Sequence, residues 1–70
     1  MATFREIREE TGLSVSDLAK RAEVDYKVVK KADEGSGSIH RFKALALLKV
    51  MNLELGTEHT LEDIDGLTLH

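Results

Sequence analysis

The sequence predicts an all-α domain of four to five short helices, folded as one unit of 70 residues. Three observations carry this expectation. Apolar residues recur at intervals of three and four along most of the chain, the spacing of one helix face. Residues that cap helices (Thr3, Ser14, Asp25, Ser38) stand ahead of these stretches, each able to accept an orphan backbone N–H. The apolar content is mostly Leu, Val and Ala, proline is absent, and only Phe4, Tyr26 and Phe42 are aromatic, which suits a small helical core better than a sheet.

Taken in order, Thr3 caps a first helix running to about Thr11, and Gly12 supplies the left-handed residue that ends it. Phe4, Ile7 and Thr11 share its inner side, with Arg5, Arg8 and Glu9 outside. Ser14 caps a second helix ending near Ala22. Asp17 lies three residues on as an acidic variant of the capping box, and Leu13 and Leu18 hold hydrophobic-staple spacing. Glu23, Val24 and Asp25 then lead into a third helix from Tyr26 to about Glu34, capped by Asp25, stapled by Val24 and Val29 and stopped by Gly35. Ser36-Gly37-Ser38 reads as a flexible turn, with Ser38 capping a fourth helix from Ile39 to about Met51 and Asn52 as its end. Leu53 to Gly56 is a connector. Thr60 caps a short final turn through Asp65, closed by Gly66, and Leu67–His70 is a short strand or a frayed end. The expected organisation is a helical domain over 1–56, followed over 57–70 by an acidic segment serving as a short fifth helix or a dimer-interface extension.

The net charge of −3 is unevenly distributed. Residues 1–19 carry −2, residues 20–49 carry +4, and residues 50–70 carry −5, with five acids and no Lys or Arg. The chain therefore has a basic middle and an acidic end. Several function classes are excluded. Without cysteine there is no disulfide, thiolate metal site or thiol nucleophile. No apolar stretch approaches the roughly 20 residues of a bilayer span. No apolar segment follows the opening Met-Ala-Thr-Phe-Arg-Glu to make it a signal peptide, so a cytoplasmic protein is expected. There is no glycine-rich phosphate loop and no concentrated acid/base pair. His59 and Asp63 lie four apart beside Glu58 and Glu62, but an acidic turn near a single histidine reads as solvated surface rather than metal site. An enzyme, a cofactor and a small-molecule ligand are not expected.

Two short helices joined by three residues must pack tightly, so particular positions have to be small or apolar. Ala19 lies midway along the second helix, with Leu18, Ala22, Val24, Val29 and Ala32 as the other inward positions. On these residues the chain resembles the Cro and phage-repressor type of helix-turn-helix regulator, the xenobiotic-response-element family. The matching stretches are Gly12 to Asp25, Val29 to Gly35, and the later Leu45-Ala46-Leu47-Leu48-Lys49-Val50-Met51-Asn52-Leu53. Together they span roughly residues 3–55. The resemblance implies a lambda-repressor-like fold and a sequence-specific regulator of transcription, a repressor in the first instance, bound to double-stranded DNA. It puts the third helix in the major groove, with Tyr26, Lys27, Val28, Lys30 and Lys31 as base-contact candidates. The amides of Val15 and Ser16, with Ser36, His40, Arg41 and Lys43, are candidates for phosphate.

The chain departs from the family at three places. Val15 stands where glutamine is usual, Glu23 where the turn usually has glycine, and Glu34 and Ser36 where polar or basic residues commonly approach phosphate. A left-handed Glu23 costs on the order of 1 kcal/mol. These departures and the net acidity leave open a second reading, a protein-interaction module of antitoxin-like or adaptor kind. Finally, the fourth helix is apolar over an arc wider than the roughly 100° that a surface helix needs. Either it is central, covered by the first helix and the C-terminal segment, or Leu47, Met51, Leu53 and Leu55 belong to the twofold interface of a homodimer. Such a dimer would set two recognition helices about 34 Å apart.

Overall fold

The computed structural model describes residues 2–70, and its four helices begin where side chains accept a backbone N–H. Thr3 caps α1 (Phe4–Thr11): its hydroxyl accepts from the Glu6 N–H at 3.2 Å, and the Glu6 carboxylate accepts the Thr3 N–H at 3.1 Å. That backbone bond, with the Thr3 hydroxyl beside it, holds the Glu6 carboxyl below its ordinary pKa. Ser14 caps α2 (Val15–Ala22) through the Asp17 N–H at 3.1 Å, and Asp25 caps α3 (Tyr26–Glu34) through the Lys27 N–H at 3.0 Å. These boundaries agree with the sequence expectation.

The fourth helix differs at both ends. It is α4 (Arg41–Leu55), capped not by Ser38 but by His40, whose Nδ1 accepts the Phe42 N–H at 3.2 Å. Ile39 is withheld from the helix by extended pairing with the C-terminus. Its N–H donates to the Thr68 carbonyl at 2.9 Å, and its own carbonyl accepts from the His70 N–H at 3.1 Å. Ser38 instead meets the His70 ring, Oγ to Nδ1 at 2.8 Å. Nor does Asn52 end the helix. Its side chain holds the following loop, with Oδ1 accepting from Thr57 Oγ1 and the His59 N–H, and Nδ2 donating to the His59 carbonyl. The helix runs on to Leu55 and closes at Gly56, whose φ of 68° is the left-handed conformation that glycine adopts without strain.

The C-terminal segment folds onto the body. No fifth α-helix forms there; Leu61–Asp63 is a single 3-10 turn, followed by β2 (Ile64–Asp65). At this turn the Asp63 carboxylate accepts the Thr60 N–H at 2.9 Å, which holds Asp63 below its ordinary pKa. β2 pairs in parallel with β1 (Ala2–Thr3), Ala2 opposite Ile64 and Thr3 opposite Asp65. Leu61 and Ile64 are buried in the common core.

That core is built round α4, which packs on α1, α2 and the 3-10 turn and buries Ala44, Leu47, Leu48 and Met51. Leu47 and Met51, expected as candidates for a twofold interface, are wholly enclosed within the single chain and have no surface to offer a partner. Of the other two candidates, Leu55 is half-buried and Leu53 exposed. The wide apolar arc is thus mostly the mark of a central helix.

Two arginines also differ from expectation. Arg5 and Arg8 do not simply face solvent from α1: both reach Asp33 on α3, Nε to carboxylate oxygen at 3.0 and 2.6 Å. Arg8 donates besides to the Leu13 carbonyl at 2.8 Å. Asp33 is the one buried charged residue among the described residues.

Glu23 closes α2 with a φ of 57°, the single non-glycine residue in the left-handed region among the described residues. Its Cβ is unfavourable there. Glu23→Gly is therefore expected to stabilise the fold by about 0.5–1 kcal/mol, seen as a rise in the urea midpoint with unchanged slope; an unchanged or lower midpoint would contradict it.

Candidate nucleic-acid interface

The α2–α3 unit is fixed from within by short apolar side chains. Leu13, just ahead of the Ser14 cap, and Leu18 are buried together, and Ala19 brings α2 close to its neighbours. The turn is held by the backbone: the Val24 N–H donates to the Ala19 carbonyl at 3.0 Å and the Glu23 N–H to that of Lys20 at 3.3 Å. Past the turn, the Asp25 carbonyl accepts from the Val28 and Val29 N–H groups, starting α3 at once.

Inward-facing residues of α3 are Val29, Ala32 and Asp33, at the spacing of one helix stripe. The opposite side carries Lys27, Lys30 and Lys31, with Tyr26 at its margin two turns from Asp33; all four are exposed, while Val28 is half-buried. Lys27, Lys30 and Lys31 fall at i, i+3 and i+4, so their ammonium groups project from a common face. None of the three has a carboxylate within 4 Å among the described residues, where ion pairs join only Asp33 to Arg5 and Arg8, and Arg21 to Glu54. Lys31 leans over the turn that follows α3; a Cβ at Gly37 would meet its side chain at 3.9 Å. Glu34 is exposed at the far end of the helix, lining a small hollow of about 260 Å³ with Arg5, Asp65 and Gly66.

The phosphate candidates are distributed round the molecule. At the start of α2, the Ser14 hydroxyl takes up the Asp17 N–H, and the earlier amides of Val15 and Ser16 lie ahead of it at the helix end. Ser36 is exposed and its N–H closes α3 on the Lys31 carbonyl at 3.1 Å. His40 uses one ring nitrogen as the α4 cap and stacks on Phe42, ring centres 5.3 Å apart. Arg41 lines a groove between α4 and the C-terminal segment, whereas Lys43 is exposed. The three lysines are therefore the candidates that share one helix face, with Tyr26 at its margin.

Asp33 was not singled out by sequence. The signal was present: it lies four residues after Val29 and one after Ala32, on the buried stripe, and Arg5 and Arg8 are themselves one turn apart. Through it, α1 holds the C-terminal half of α3 in place. Among the described residues no group of three or more His, Cys, Asp or Glu is arranged to hold a metal ion, and no helix is long and apolar enough to cross a membrane.

Comparison of the chain with protein-family models, curated proteins and solved structures found no match. Fold and site together define a small, mostly helical protein of four helices. Its third helix is clamped on one side and basic on the other.

Proposed function

We propose that this chain is a sequence-specific regulator that binds double-stranded DNA, with α3 as its recognition helix in the major groove. The observation that carries the reading is the two-sidedness of α3. Val29, Ala32 and Asp33 fasten its inner side, while Lys27, Lys30 and Lys31, with Tyr26 beside them, stand outward without ion-pair partners among the described residues. A rigid helix with free cations on its outer face can approach a phosphate-lined groove without first breaking internal pairs. On this reading Lys27 and Lys31 donate to guanine edges or phosphate, Val28 meets a thymine methyl, and the Tyr26 hydroxyl bonds phosphate. The Val15 and Ser16 amides at the start of α2 supply a further phosphate contact. Regulation by occupying an operator, as a repressor, requires nothing beyond this contact.

Net acidity argues for a second reading, in which the same fold binds a protein rather than DNA. Titrating salt separates the two. With three to five phosphates neutralised, log affinity for selected DNA sites is expected to fall with log salt at a slope of about −3 to −4.5. A flat response, or no binding at roughly 50 mM salt, rejects DNA recognition, since an electrostatic contact is strongest at low salt. Partner capture that survives Lys27→Ala/Lys31→Ala, with no DNA affinity, supports the interaction module.

A further inference from the structure

Between α4 and residues 56–62 lies an open groove of about 770 Å³. Buried Leu48 and Leu61 form its floor, and Leu45 and Leu53 border it, 42% and 76% exposed. The wall facing α4 is set in advance. Asn52 holds Thr57 and His59, and Asp63 holds the Thr60 N–H. The two edges carry opposite charge: Arg41 and Lys49 stand on α4, Glu58 and Glu62 on the other side. None of the four is in an ion pair among the described residues. What fills this groove must be apolar below, with an acid for one edge and a base for the other.

We propose that the groove receives one amphipathic helix of a different protein. Its buried stripe carries leucine-sized residues at i, i+3 or i+4, and i+7, with acids on the flank facing Arg41 and Lys49 and bases on the flank facing Glu58 and Glu62. From Arg41 to Leu53 the groove edge runs about 18 Å, which an occupant of about three turns spans. A helix keeps its own backbone bonded while its side chains meet the floor and both edges. An extended segment would set unpaired N–H and C=O groups over leucines.

A second copy of the chain does not supply that helix. Its large exposed apolar residues among the described residues are Tyr26, Phe42, Leu45 and Leu53, so only α4 has a stripe to offer. That stripe is interrupted by Lys49 and flanked by Arg41 and Lys43, with no acid on α4 before Glu54. It brings base to base at the α4 edge. No residue of α3 lines the groove, so the inference is independent of the nucleic-acid reading.

Three synthetic peptides of about 14 residues test it on the whole chain, each held helical by a lactam bridge on its outer face because short helices are marginal in water. All share one leucine stripe; the first has acids on one flank and bases on the other, the second acids on both, the third bases on both. By fluorescence anisotropy at roughly 0.15 M salt, the mixed peptide is expected to bind with a Kd of about 0.1 mM or tighter. It should bind about tenfold more tightly than either uniform peptide. A helix can enter in either direction, so the mixture of signs matters and not its hand. Arg41→Glu/Lys49→Glu makes both edges acidic and should transfer the preference to the peptide with bases on both flanks. Leu45→Ala/Leu53→Ala should weaken the mixed peptide about tenfold, with unchanged circular dichroism because alanine favours helix. Amide chemical-shift changes should fall on residues 45–62. Binding of no peptide at about 1 mM protein, equal affinity for all three, or a preference unmoved by Arg41→Glu/Lys49→Glu overturns the proposal. So do shifts centred on α3, or self-association through the groove that the mixed peptide does not displace.

Discussion

Asp33→Ala is expected to lower stability by about 3 kcal/mol, the loss associated with removing one partner of a buried charge pair. The Asp33 side chain is 5% exposed and Arg8, its closer partner, only 15%. Deleting the carboxylate strands a guanidinium that has only the Leu13 carbonyl left to bond. A domain of this size holds roughly 4–10 kcal/mol in all, so the variant should melt about 15 °C lower. Arg8→Ala comes next, for the same reason in reverse. Arg5, 53% exposed, still has water, and Arg5→Ala should cost no more than about 1 kcal/mol. Because an apolar pair of similar bulk avoids desolvation altogether, Arg8→Met/Asp33→Leu should be less harmful than Asp33→Ala alone. Thermal and urea unfolding of the four variants gives the order directly. An Asp33→Ala loss below about 1 kcal/mol, or equal effects at Arg5 and Arg8, would show that the clamp does not hold α3.

The same cluster marks where sequence reasoning stops. The caps at Thr3, Ser14 and Asp25 were legible because each closes a hydrogen bond within three residues of itself, and the period of Val29 and Ala32 placed the lysines outward for the same local reason. Asp33 and its two arginines stand 25 and 28 residues apart; the local period puts Asp33 on the buried stripe but does not say which side chains meet it there. The start of α4 is likewise decided from a distance. Ser38 has the residue type of a cap, but Leu69 claims Ile39 for an extended pair and moves the helix start to Arg41. The two-residue strands are too short for any alternation to register. On α4 the sequence shows that the apolar arc is wide, yet only the packing of α1, α2 and the C-terminal turn separates enclosed Leu47 and Met51 from bare Phe42, Leu45 and Leu53.

Lys27→Ala/Lys30→Ala/Lys31→Ala is expected to have the largest effect on DNA binding and almost none on folding. All three side chains are exposed and outside any ion pair among the described residues, and alanine is the strongest helix former. The melting temperature should therefore stay within a few degrees. Affinity for a selected DNA site at roughly 50 mM salt should fall about 100-fold, and the slope against log salt should flatten by about 2.7, at about 0.9 for each phosphate that no longer meets a lysine. Single variants divide the roles. A lysine on phosphate weakens all sequences alike and takes about 0.9 from the slope, whereas a lysine on a guanine edge relaxes selectivity at one base pair by about 1–3 kcal/mol. Lys27 and Lys31, one turn apart on α3, are expected to act on neighbouring positions of the same groove. Should the triple variant bind with unchanged affinity and slope, α3 is not the contact, and DNA binding would have to come from another face. Should it lose affinity only together with its fold, the lysines would be stabilising the helix, contrary to their exposure.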